Sequence, residues 1–122
     1  MAELDDRYIL AYQAARRSLK AELAYHEEQS GSVFLPSAKK AEHARIAIRL
    51  SLELLRLEEE NAKVWSKLTQ VQGPTEAIVK RAEQLTGDLA KVIVDATTAE
   101  KILASVSKFI DAWTKLTEPQ QV

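Results

Sequence analysis

Apolar residues recur every three or four positions along almost the whole chain, and the phase of that recurrence breaks only at short stretches carrying glycine, proline or clustered hydroxyls. Leu4, Tyr8, Ala11, Tyr12, Ala15, Leu19 and Leu23 form one stripe, with Asp6, Gln13, Arg16, Arg17 and Lys20 facing away, which predicts a helix from about Leu4 to Gln29. Asp5 and Asp6 in its first turn suit the positive end of the helix dipole. The segment Ser30-Gly31-Ser32-Val33-Phe34-Leu35-Pro36 stops it, and Ser37 is placed to cap a second helix that extends to Val71, roughly 50 Å at 1.5 Å per residue. Gly73-Pro74-Thr75 ends that helix and opens a third, whose face is Ile78, Val79, Ala82, Leu85, Leu89, Val92, Ile93 and Ala96. Gly87 lies mid-helix on its polar side, a soft point costing about 1 kcal/mol relative to Ala.

A last stripe comprises Ile102, Leu103, Val106, Phe109, Ile110, Trp113 and Leu116. Continuing the third helix unbroken would set it about 120° from the preceding stripe, so a separate fourth helix is predicted. Thr97 as N-cap with Glu100 three residues later would form a capping box at its start. The alternative is one kinked helix from Thr75 to Thr117. The fold class read from these patterns is all-α: an antiparallel bundle of about four helices with one over-long, largely buried central helix. Residues 1–117 form a single domain, with 118–122 as a frayed tail.

The second helix is the most informative element. Arg45, Arg49, Glu53, Arg56 and Glu60 fall within about 80° of one another in projection, whereas Ile46, Ala47, Ile48, Leu50, Leu52, Leu54, Leu55 and Leu57 spread over roughly 240°. A surface helix needs only about 100° of apolar stripe. Leaving the surplus wet would forfeit about 1.5 to 3 kcal/mol per leucine, so a second chain is the expected cover. We assign Ala47, Leu50, Leu54 and Leu57 to the intramolecular core and Ile48, Leu52 and Leu55 to an interface. Farther along, Glu58-Glu59-Glu60-Asn61 puts a polar residue on every side of the helix. Either this ring is solvated at a turn or kink, or the helix leaves its bundle there and continues on a symmetry mate. Helix 2 also outruns the two that follow by about ten residues, so part of it must project or meet something else.

Composition narrows the function. A chain of 122 residues suffices for one hydrophobic core, and without cysteine it can build neither a disulfide scaffold nor a thiolate zinc site. Lys and Arg number 17 against 18 Asp and Glu, so no global field steers the protein to nucleic acid or anionic lipid. An acidic N-terminus and the lack of a long apolar run lead us to expect a soluble, cytoplasmic protein that does not enter membranes.

Candidate chemistry is sparse. Glu22 and His26 share a helix face, with Glu27 beside them, and His43 adjoins Glu42; a metal site would have to join these groups. Neither the Glu-x-x-His pairs of di-iron bundles nor His-Glu-x-x-His is present, and no metal or other cofactor is expected. No nucleophile elbow and no glycine-rich phosphate loop occurs, so enzymatic work is the weakest of three expectations. Nucleic-acid or regulatory binding through the basic faces of the first two helices comes second, its contacts being Arg16, Arg17, Lys20, Lys39, Lys40, Arg45 and Arg49. Against it, Glu53 follows Arg49 and Glu60 follows Arg56 by one turn, the alternation of a solvated face. The favoured expectation is a protein-protein interaction module, an adaptor, inhibitor or assembly component, that forms a homo-oligomer, preferentially a dimer, and meets a further protein partner. Val33, Phe34 and Leu35 either fold back to plug the end of the bundle, the reading we favour, or protrude as an apolar anchor for that partner.

Overall fold

The computed structural model describes residues 2–95 and 98–118, and these form four helices: α1 (Ala2–Ser30), α2 (Ser37–Gln70), α3 (Glu76–Asp95) and α4 (Ala99–Thr114). The molecule is a helical bundle without strands among the described residues. The fraying expected at the C-terminus and the cap expected at Thr97 concern 119–122 and 97, which lie outside the described residues.

The bundle is two antiparallel hairpins laid side by side. Around its cross-section α1 neighbours α2 and α3, and α4 neighbours the same two, leaving α2 and α3 across a diagonal with only residues 71–75 to join them. Cross-helix bonds set the directions. Tyr8 meets Asn61 and His26 meets His43, so α1 and α2 run oppositely. Arg7 meets Glu76 while Ala11 meets Thr86, so α1 and α3 are parallel. Arg45 with Glu100 and Arg56 with Asp111 likewise make α2 and α4 parallel.

The core follows the predicted stripes. Tyr8, Ala11, Ala15 and Leu19 of α1 pack with Ile46, Leu50, Leu54 and Leu57 of α2, Val79, Ala82 and Leu89 of α3, and Ile102, Val106, Phe109 and Trp113 of α4. Ala11, Ala15 and Ala82 carry so little bulk that α1 and α3 come close enough for Thr86 Oγ1 to donate to the Ala11 carbonyl, 3.0 Å away. Tyr8 stacks on Trp65 with ring centroids 5.4 Å apart, and Trp113 is tilted against Tyr8, Tyr12 and Phe109.

Two helix ends show how the chain is punctuated. After α2, the Gly73 N–H reaches back 2.7 Å to the Leu68 carbonyl, closing a Schellman-type turn with Gln72 at φ 88° and Gly73 at φ 91°. Gly73 is doubly required, since a Cβ there would sit 2.9 Å from Asp5 Oδ1. At the start of α4 the cap is Thr98, whose hydroxyl accepts from the Lys101 N–H. The cap therefore stands one residue beyond Thr97, and because Lys101 rather than Glu100 is three residues on, no capping box forms. Glu100 turns outward to Arg45 instead. α3 and α4 are separate helices packed on each other, which overturns the single kinked helix.

The surplus length of α2 lies at its N-terminal end. Thr98 and Ala99, where the second hairpin turns, line the same shallow pocket as His26 and His43. Beyond that level α1 and α2 continue as a two-helix tip carrying residues 31–36. At the opposite end α2 stays within the bundle: Val64 and Leu68 are buried in the common core, with Leu4 packed against it. Departure of the helix after Glu58-Glu59-Glu60-Asn61 is thus contradicted. Each polar group of that ring has its own outlet. Glu58 pairs with Arg16, Glu60 with Lys63, Glu59 faces solvent, and Asn61 points inward to serve Tyr8 and Trp113.

Candidate functional site

α2 is a corner helix, buried along one stripe and open along the other. Ile46, Ala47, Leu50, Leu54 and Leu57 face the core, whereas Ile48, Leu52 and Leu55 are 63%, 61% and 53% exposed. In projection the two sets lie on nearly opposite sides of the helix, about 165° apart. Successive positions on the open side are Ala41, Ala44, Ile48, Ser51, Leu52, Leu55, Glu59 and Ala62, spaced by three and four with one adjacent pair. The result is a narrow apolar ridge with small residues at both ends, which lets another helix approach closely.

Apart from Glu59 on the strip itself, charge lies at its margins and is largely tied down. On the side toward α4, Arg45 donates to Glu100 at 3.1 Å, and Arg56 holds both Asp111 and Glu53. The Arg45 hydrogen bond keeps the Glu100 carboxyl below the usual carboxylate range, and that to Asp111 raises the Arg56 guanidinium further. On the side toward α1, Arg16 reaches Glu58 at 3.1 Å.

The basic residues considered for nucleic acid do not gather on one surface. Arg16 lies on the α1–α2 side and Arg45 on the α2–α4 side, separated by the apolar strip and each neutralised by a carboxylate. Arg17, Lys20 and Lys39 are exposed, Lys40 is half-buried near the tip, and Arg49 is exposed beside the Arg45 pair.

At the tip, Val33 and Phe34 are 85% and 91% exposed, and Leu35 is half-buried. The plug reading is corrected accordingly. The α1–α2 hairpin overshoots the α3–α4 turn: α1 runs four residues past His26 to Ser30, about 6 Å, before the connection that carries Val33 and Phe34, which leaves them beyond the layer they would have to seal.

The histidines meet at the base of this tip. His26 is buried, its Nδ1 lies 2.8 Å from Nδ1 of His43, and its Nε2 donates to Glu22 Oε1 at 3.1 Å. Tyr25 presents its ring edge-on to both imidazoles. Among the described residues no group of three or more His, Cys, Asp or Glu side chains is arranged to hold a metal ion. Glu27 and Glu42 are exposed, and Glu42 with Lys39 merely lines the pocket beside the pair. The arrangement is a hydrogen-bonded clamp between two helices.

Three features escaped the sequence reading. Asn61 as a shared acceptor and the Arg7 bridge to Glu76 and Glu83 depend on helix register. The histidine contact depends on the length of the hairpin. A polar residue between Leu57 and Val64 in the buried phase of α2 was the available signal for Asn61. No family model, curated protein or solved structure matches this chain. No helix among the described residues is long and apolar enough to cross a membrane.

Proposed function

We propose that the protein is a non-enzymatic interaction module that associates with a second copy of itself through the outward strip of α2, serving as an adaptor, inhibitor or assembly component. The observation that carries this reading is the exposure of Ile48, Leu52 and Leu55 together on one line of a helix whose opposite side is fully engaged. Three large aliphatic side chains left wet in a row are costly to solubility, and contiguous patches of this kind characterise association surfaces. A second copy fits because the strip is complementary to itself when turned end for end: Arg45 and Arg49 flank one end and Glu59 stands at the other. The cytoplasm is the compartment this reading carries, a cysteine-free bundle having no need of an oxidising one.

The test is the double substitution Leu52→Glu and Leu55→Glu with solution mass measured by light scattering. The expected result is a wild-type dimer and a monomeric variant of unchanged helicity, because neither side chain contributes to the core. A variant that unfolds, or a wild-type chain that is monomeric at millimolar concentration, refutes the reading.

A further inference from the structure

Resting on the self-association reading, we propose that the two copies pack antiparallel, α2 against α2, about a two-fold axis that passes beside Leu52, with Arg45 of each copy paired to Glu59 of the other.

Three observations lead to this register. Arg45 lies seven residues before Leu52 and Glu59 seven after it, so turning the helix end for end about Leu52 brings each level with the other. A two-fold axis between antiparallel helices keeps each flank facing the same flank of the second copy. Arg45 stands on the flank toward α4, and Glu59, about 40° from it in helical projection, lies on the exposed strip itself, on the α4-ward side of its mid-line. The same operation sets Leu52 against itself and brings Ile48 to within one residue rise, about 1.5 Å, of the level of Leu55 of the second copy, with the small side chains of Ala44, Ser51 and Ala62 where the backbones must approach.

The partners also have unused capacity. Glu58 and Glu60 are bonded within the chain, to Arg16 and Lys63, whereas Glu59 between them is exposed and makes no hydrogen bond or ion pair among the described residues. Arg45 is half-exposed and gives only one N–H to Glu100, leaving most of its five donors available. A parallel dimer on the same strip would keep Arg45 level with Arg45 and Glu59 level with Glu59, about 21 Å apart along the helix, so the opposite charges could not meet.

The experiment combines mass measurement, cysteine cross-linking and charge reversal on the full chain. The chain has no cysteine, so a single Leu52→Cys places two thiols side by side across the axis. The expected result is rapid oxidation of that variant to a covalent dimer, with Arg45→Cys and Glu59→Cys remaining unlinked. Glu59→Arg and Arg45→Glu should each raise the dissociation constant about three- to tenfold, two symmetric pairs being lost, and the combined variant should recover most of the loss. Unchanged thermal unfolding of each variant separates these effects from damage to the bundle. A dimer that fails to cross-link at Leu52 or shows no recovery in the combined variant overturns the register while leaving self-association intact. A chain that is monomeric throughout overturns both.

Discussion

Between Nδ1 of His26 and Nδ1 of His43 there are 2.8 Å, room for one hydrogen and not for two. Since the Glu22 carboxylate accepts from Nε2–H of His26, the neutral form of His26 carries the lone pair on Nδ1 and His43 Nδ1–H is the donor. Nitrogen-resolved NMR at neutral pH should therefore find His26 as the Nε2–H tautomer and His43 protonated at Nδ1. The reverse assignment would contradict the bond to Glu22.

Tyr8 and Trp113 share the acceptor Asn61 Oδ1, at 2.5 Å and 3.0 Å, and the Trp113 indole N–H also serves the Tyr8 oxygen. Asn61→Leu strands the buried Tyr8 hydroxyl proton and leaves the Trp113 indole N–H only the Tyr8 oxygen, and should cost about 1 to 3 kcal/mol in urea unfolding. A loss below about 0.5 kcal/mol, the range of an ordinary surface change, would show that the two donors find other acceptors.

Gly87 is exposed in mid-α3, and a Cβ there would meet nothing within 4 Å. Gly87→Ala should raise stability by about 1 kcal/mol, read as a shift in the urea midpoint at unchanged slope. Gln72 adopts the left-handed backbone at φ 88° without being glycine. Gln72→Gly should gain a similar amount, about 1 kcal/mol.

Burial raises the Tyr8 hydroxyl well above its ordinary value of 10.0, and Tyr12 is raised by burial and then by the charge of Glu58. A group whose folded value is raised stabilises fully below the unfolded value and loses that contribution as pH climbs through the folded one. Stability should therefore be insensitive to these tyrosines up to about pH 10 and fall above it. Tyr8→Phe should show a shallower alkaline decline than the wild type when both are titrated under the same denaturant.

Phe34→Ala should leave stability within about 0.5 kcal/mol of wild type, because the ring touches no core residue. A larger loss in thermal unfolding would restore the plug.

Much of this architecture was legible in residue spacing, and the limits have physical reasons. The stripe through Leu50, Leu54 and Leu57 repeats at helical period, which marks it as one candidate core side, but periodicity alone does not choose it over the other, and the burial of these residues does. Periodicity equally marked Ile48, Leu52 and Leu55 as a second apolar side, and the structure exposes that side. Where hairpins end relative to one another is not encoded in any one helix. The fate of Val33 and Phe34 depends on the level at which Thr98 and Ala99 turn, a property of α3 and α4. The cap slipped by one residue because Thr97 and Thr98 offer the same hydroxyl, and the pairing of Glu100 with Arg45 depends on how α4 packs beside α2.

Beyond the histidine clamp the tip is carried by α1 and α2, with only Lys39 and Glu42 at its base lining the pocket they share with Thr98, Ala99 and Ile102 of the second hairpin. Adding or removing matched pairs of helical turns in both arms would lengthen or shorten this peninsula while every residue below keeps its neighbours. The molecule thus has one dimension free to drift or to be engineered, a mast of adjustable height on a fixed hull.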